Sequence, residues 1–322
     1  MLIKRLSSGG IIANYRCSAA CGHCVYGCSP SAEAGYMDMA CVARLAVRLR
    51  SLGCSRLHIG GGEPFLEWAK LVTLIRAMRA NGLSVDYIET NASWISGDCE
   101  RDRKILNEVM NAGGNCIMVS ADPFHVEFVP FWKNKALIDL LKSMRVPHFV
   151  WQDRYLPMLL SLDPHKKYDT EALRDVLGYD ATAKCATEYG MRFNGRALNL
   201  LRKQEKLPPH RFFAPCPELL NTNHFHVDFL GNYVPPGCTG LGIAIDDIGK
   251  ALDPSAYPVI SRLLSGGVGE LYSYAMTLGY NPKPEGYVSK CELCFDLRKF
   301  LINETEIIHN DLTPKSFYKQ DY

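Results

Sequence analysis

Three cysteines fall within eight residues, Cys17-Ser-Ala-Ala-Cys21-Gly-His-Cys24, a C-x3-C-x2-C triplet just after an apolar N-terminal run. Thiolate is the preferred ligand of iron–sulfur clusters and zinc, and three thiolates this close can wrap one soft metal centre. Three ligands leave a coordination position open, which a catalytic centre requires and a structural one avoids. A zinc knot is the alternative reading of the same spacing. Four more cysteines, Cys216, Cys238, Cys291 and Cys294, follow the pattern C-x21-C-x52-C-x2-C. Four thiolates close a tetrahedral zinc or a cubane. Prolines 215 and 217 flank Cys216 and Gly237 precedes Cys238, so local turns present these thiolates. Cys41, Cys54, Cys99, Cys116 and Cys185 have no ligand spacing, and we assign them no function.

Other residues with chemical capacity sit at the ends of β-type runs. Gly60-Gly61-Gly62-Glu63-Pro64 follows the run Arg56–Ile59. Glycines there admit close backbone approach to a ligand, and Glu63 offers an acceptor to an ammonium; a generic tight turn is the alternative. Asp122 and His125, three apart after another run, could share acid–base work on a substrate, or Asp122 could simply cap a helix. His224, His226 and Asp228 alternate along one strand, which aims them either at a substrate or cluster or at solvent.

The elements that must position these groups follow an α/β rhythm. Strands are expected at Arg56–Ile59, Val85–Glu89, Asn115–Ser120 and Pro147–Trp151, with a last one at Gly190–Phe193. Helices are expected over Leu66–Ala80, around Arg103–Met110 and over Lys135–Met144. Such alternation argues for parallel βαβ units, with the chemistry at the C-terminal strand ends. A polar Lys203–Pro209 segment reads as a linker. After it, His224–Pro236 reads as a hairpin, Ala256–Leu264 as a helix, and the residues beyond 300 as a polar tail. The expected units are 1–204, 205–300 and 301–322.

Composition narrows the classes. The 322 residues are 47% hydrophobic and 22% charged, enough to bury a core and exclude wholesale disorder. A net charge of +2, from 36 basic and 34 acidic residues, removes the electrostatic case for nucleic acid or an anionic membrane. With no long apolar run and no signal-like start, a cytoplasmic location is expected, where 13 cysteines are ligands or buried hydrophobes rather than a disulfide framework.

The triplet, with His23 as the aromatic residue before its last cysteine, resembles the signature of radical S-adenosylmethionine (SAM) enzymes. Gly61, Gly62, Glu63 and Pro64 resemble that family's GGEP motif. The resemblance implies a partial (β/α)6 barrel and a 4Fe–4S cluster on Cys17, Cys21 and Cys24, with SAM chelating the open iron. It further implies that Glu63 meets the SAM amino group, and that Asn91, Ser120 and Arg192 lie near SAM. Cys28 is expected outside the ligand shell, since a fourth thiolate would block SAM. The second cysteine set resembles the family's "twitch" extension, implying one auxiliary 4Fe–4S cluster on Cys216, Cys238, Cys291 and Cys294. The implied activity is reductive SAM cleavage and hydrogen-atom abstraction, fed by a reductant such as flavodoxin or ferredoxin. The substrate reading is a ribosomally made peptide, with a small metabolite as the alternative. A non-enzymatic zinc or iron–sulfur scaffold is the remaining reading.

Overall fold

A computed structural model describes residues 2–188 and 193–319. The chain begins with β1 (Gly9–Ile12) and α1 (Met39–Ser51), then alternates β2 (Arg56–Gly60), α2 (Trp68–Ala80), β3 (Ser84–Thr90), α3 (Cys99–Ala112), β4 (Ile117–Ser120), α4 (Phe131–Ser143) and β5 (His148–Trp151). Three short helices follow: α5 (Leu156–Leu160), α6 (Thr170–Leu177) and α7 (Ala181–Glu188). The remainder carries β6 (Phe225–Asp228), β7 (Asn232–Val234), β8 (Ile243–Ala244), α8 (Pro258–Ser265), α9 (Gly267–Thr277) and α10 (Lys290–Asn303). Acidic and hydroxyl caps fix several starts: the Asp38, Asp98 and Asp169 carboxylates and the Ser289 hydroxyl accept from first-turn amides of α1, α3, α6 and α10.

The eight strands of the described residues form one sheet, in the order β5-β4-β3-β2-β1-β6-β7-β8. The pairs from β5 to β6 are parallel; β6–β7 and β7–β8 are antiparallel. The hairpin at 224–236 therefore adds directly to the main sheet, beside β1, and no break in the sheet falls at residue 204. Alternation along the strands gives the sheet two unlike faces. Ile11, Leu57, Ile59, Val85, Ile88, Ile117 and Val119 belong to one buried core with α1–α4. Tyr87, Glu89, Met118 and His226 line a cavity instead. The expected strand at Gly190–Phe193 falls almost wholly outside the described residues.

The segment after 300 is no loose polar tail. Leu312, Phe317 and Tyr318 are buried, and the Phe317 and Tyr318 rings lie 5.6 and 5.8 Å from that of Phe295. Asp311 accepts from the Val259 and Ile260 amides at 2.8 Å each, which caps α8.

Candidate active site

A cavity of about 510 Å³ opens at the C-terminal ends of the parallel strands, within the size range of small-ligand sites. Cys17, Cys21, Cys24 and Cys28 line it on the loop after β1, Gly61 and Gly62 after β2, Asn91 after β3, and Ser120 and His125 at and after the end of β4. The glycine loop is stitched to the segment that leads into the triplet. Gly62 N–H donates to the Asn14 backbone carbonyl at 2.9 Å, and Glu63 N–H to that of Arg16 at 2.9 Å. A Cβ on Gly62 would stand 1.9 Å from the Arg16 carbonyl oxygen, so only glycine permits this approach.

Glu63 is fully buried and does not line the cavity. Its Oε1 accepts from Phe65 N–H (3.1 Å) and Thr90 Oγ1 (2.9 Å), and its Oε2 from Asn91 N–H (2.7 Å). The carboxylate thus ties the end of β2 to the end of β3, an arrangement distinct from the expected role of meeting an ammonium. Burial pushes its pKa up to about 7, against the pull of those three donors. Glu63→Ala would leave three buried donors unpaired, and we expect a loss of about 2–4 kcal/mol in denaturant unfolding. A carboxyl group whose folded pKa is raised contributes stability below its unfolded value that is lost as pH rises through the folded one. Wild type should therefore lose more stability than Glu63→Gln between pH 4.5 and 7. Unchanged unfolding in Glu63→Ala, with only SAM affinity reduced, would return the residue to ligand binding.

Asn91 lines the cavity and donates from Nδ2 to the Cys17 thiol at 3.4 Å. Asn134, a residue that sequence reasoning passed over, donates from α4 to the carbonyls of Asn91 (3.1 Å) and Ser120 (3.0 Å) and so holds these two strand ends together. Pro64 opens a short 3-10 turn after Glu63. Arg192 lies outside the described residues. Four residues on, Arg196 grips the triplet loop: its side chain donates to the carbonyls of Cys21 (3.1 Å) and Cys28, and its amide to that of Cys24 (3.2 Å).

Asp122 is buried and accepts from the Phe124 and His125 amides at 2.9 and 3.1 Å, the geometry of a turn cap. The same carboxylate lies 2.9 Å from His125 Nδ1 and 3.9 Å from His23 Nε2. His125 is raised above its ordinary value because Asp122 overcomes its burial; against the burial of Asp122, His125 in turn holds that carboxyl below the usual range. His23, its ring tilted against that of Phe124 at 4.7 Å, is lowered to about 4 by burial and stays neutral. His125 and His23 line the cavity while Asp122 stands behind them. Of the pair, His125 therefore faces the cavity, with the Asp122 carboxylate against its Nδ1.

The triplet thiols fit an iron–sulfur ligand set by chemistry and by placement. Burial pushes Cys17 up to about 12 and raises Cys21 well above its ordinary value, so loading a metal there displaces protons. The Arg196 guanidinium opposes this shift at both thiols. Cys24 is the exception, lowered chiefly by a hydrogen bond from the Cys28 thiol, which rises in turn.

The second set also converges. Cys216, Cys238, Cys291 and Cys294 line one separate cavity of about 260 Å³. Cys291 and Cys294 sit in the first turn of α10, and Cys238 in the turn after β7. Arg298, one turn beyond Cys294 and 2% exposed, lines the same cavity. Its guanidinium donates to Thr239 O (2.8 Å), Tyr318 Oη (2.9 Å) and Cys294 O (3.2 Å). A buried cation beside four thiols fits an anionic centre, because a charge so desolvated needs a partner. Lys290 adds a second positive charge at the rim, bonded to Glu218 and the Pro215 carbonyl.

No protein-family model and no curated protein matches the sequence. Among solved structures, the chain is similar to BtrN in complex with AdoMet and 2-DOIA, at 18% identity over 74% of this chain and 75% of that one, TM-score 0.40. It is also similar to native anSMEcpe with bound AdoMet, at 15% identity over 92% and 97%, TM-score 0.41. Streptococcus suis SuiB bound to S-adenosylmethionine is 14% identical over 72% and 60%, TM-score 0.35. At these scores the likeness is one of outline. No helix among the described residues is long and apolar enough to cross a membrane.

Proposed function

We propose that this chain is a radical SAM enzyme, a partial (β/α)6 barrel with a twitch-type second cysteine site. The observation that carries this reading is the convergence of Cys17, Cys21 and Cys24 with Gly61, Gly62 and Asn91 on one cavity at the parallel strand ends. Cys17, Cys21 and Cys24 would hold a 4Fe–4S cluster, and Cys216, Cys238, Cys291 and Cys294 an auxiliary one. When bound, the first cluster supplies the electron that cleaves SAM to methionine and a 5′-deoxyadenosyl radical able to take a hydrogen atom from substrate. The chain's own part is to position and to exclude water. Arg196 fixes the backbone of the cysteine loop, Glu63 and Asn134 fix the strand ends, and His125 holds a proton at the cavity wall.

For the substrate we propose a side chain of a ribosomally made peptide. Phe149 and Trp151 on β5 are 40% and 42% exposed, and Trp151 lines the cavity, so an aromatic rim stands ready for an extended chain. The test is anaerobic reconstitution with iron and sulfide, then SAM with a strong reductant. Formation of 5′-deoxyadenosine is expected; a protein that takes up zinc alone and leaves SAM intact overturns the reading. Once a substrate is in hand, His125→Ala should lower product formation by ~10²–10⁴-fold if it moves a substrate proton. Asp122→Asn should shift the pH profile of that step, because the carboxylate that holds the His125 proton would be gone. An unchanged profile would confine Asp122 to capping its turn.

A further inference from the structure

Beside the same cavity lies a group of residues that neither cysteine site uses. His226 on β6 and His224 just before it line the cavity, His58 on β2 is buried behind them, and one ring nitrogen from each lies within 4.8 Å of the other two. The strand order explains the meeting: β1 separates β2 from β6, and its residue between the rings is Gly10. A Cβ there would stand 2.1 Å from His58 Nε2, so glycine leaves room for imidazoles that would otherwise be kept apart. His58 Nε2 and His226 Nε2 face each other at 3.0 Å, and Glu89 Oε1 lies 3.5 Å from His58 Nε2.

We propose that His58, His224 and His226, with Glu89 beside them, form a binding site for a divalent transition-metal ion of the zinc type on the wall of the substrate cavity. Three imidazoles and a carboxylate are a common zinc ligand set, and tetrahedral Zn–N distances of about 2.0–2.1 Å place two nitrogen ligands about 3.3–3.4 Å apart. The Nε2 pair, at 3.0 Å, needs to part by only a few tenths of an ångström to take one ion between them. The outer contacts suit ligation as well. Tyr26 Oη lies 2.9 Å from His226 Nδ1, and Ser8 Oγ 3.2 Å from His224 Nδ1, so hydroxyls hold the ring nitrogens turned away from the neighbouring imidazoles. The His58 ring is held between Tyr87 and His224, stacked at 4.9 and 5.2 Å. Burial lowers the pKa of all three histidines, which keeps them in the neutral, ligating form. A solvated polar strand face would need none of this: His58 is 2% exposed and its neighbours aim at it.

The site goes beyond the radical SAM reading and does not depend on it, since imidazole ligation would stand even if Cys17, Cys21 and Cys24 held no cluster. The test uses the reconstituted full chain, dialysed against zinc and then against buffer without it. About one zinc per chain should remain beside the iron. Zinc K-edge absorption should show nitrogen or oxygen neighbours with imidazole scattering, at about 2.0–2.1 Å, and not sulfur at about 2.3 Å. His224 is exposed, so His224→Ala should fold and keep its iron while zinc affinity falls at least ~10-fold. Tyr26→Phe should weaken zinc by ~10-fold through the outer contact alone. Sulfur-ligated zinc, zinc retained equally by His224→Ala, or no retained zinc in wild type would each overturn the proposal.

Discussion

Changing Cys17, Cys21 and Cys24 together to alanine is expected to remove about half of the iron and sulfide of the reconstituted protein, from about eight of each to about four. 5′-Deoxyadenosine formation should fall to the background of the reductant alone, at least ~10³-fold below wild type, because rate enhancements of this order vanish with the catalytic centre. The two cysteine sets line different cavities, so the remaining four irons should be undisturbed. Cys28→Ser supplies the control. Cys28 lines the same cavity and its thiol bonds that of Cys24, yet a fourth thiolate on the cluster would leave no position for SAM. Iron content and SAM cleavage should both survive that change. Loss of the first cluster in Cys28→Ser would bring Cys28 into the ligand shell. An unchanged iron count in the triple variant would remove the triplet from it.

How much of this was legible in the sequence depends on how local each cause is. The strands at Arg56–Ile59 and Val85–Glu89 announce themselves by β-branched and aromatic runs, and they appear as β2 and β3. β1 does not, because half of its residues are Gly9 and Gly10, which weaken a strand by propensity. Their reason lies more than 40 residues away: a Cβ on either would meet the His58 or Phe225 ring. The hairpin was readable from its turn, with Gly231 at φ +84°, but its parallel pairing with β1 joins residues more than 200 apart, and no pattern encodes that. The alternation His224, His226, Asp228 fitted a solvated face as well as a functional one, and only the position of β6 beside β1 decides between them. Arg196 and Asn134 escaped notice for a common reason. Each acts by donating to backbone carbonyls brought close by the fold, and a carbonyl leaves no residue-type signal. The helices α5–α7 are short and pack with their own small apolar cluster around Leu159 and Leu173, so their periodicity spans too few turns to read.

The other large expected effect is an uncoupling. Cys291→Ala with Cys294→Ala should still cleave SAM to 5′-deoxyadenosine at close to the wild-type rate, since none of the residues lining the first cavity belongs to α10. Product per 5′-deoxyadenosine should fall by at least ~10-fold, because a centre that accepts an electron from substrate or holds it in place would be missing. The two changes delete neighbouring ligands on one helix turn, so the α10 scaffold is otherwise kept, and Arg298 is the residue that makes the experiment discriminating. Its guanidinium is buried against Thr239, Tyr318 and the Cys294 carbonyl, beside thiols whose charge it complements. With the anionic centre removed, that cation is left without its counter-charge, and stability should drop by a few kcal/mol. Arg298→Met in the double-cysteine background should then recover part of the lost stability without restoring coupling. Arg298→Met in the wild-type background should instead destabilise the protein, because the centre would lose its cation. If coupling is normal in the double-cysteine variant while stability falls, the four cysteines form a structural clamp. If both stay normal, Cys291 and Cys294 hold no centre at all.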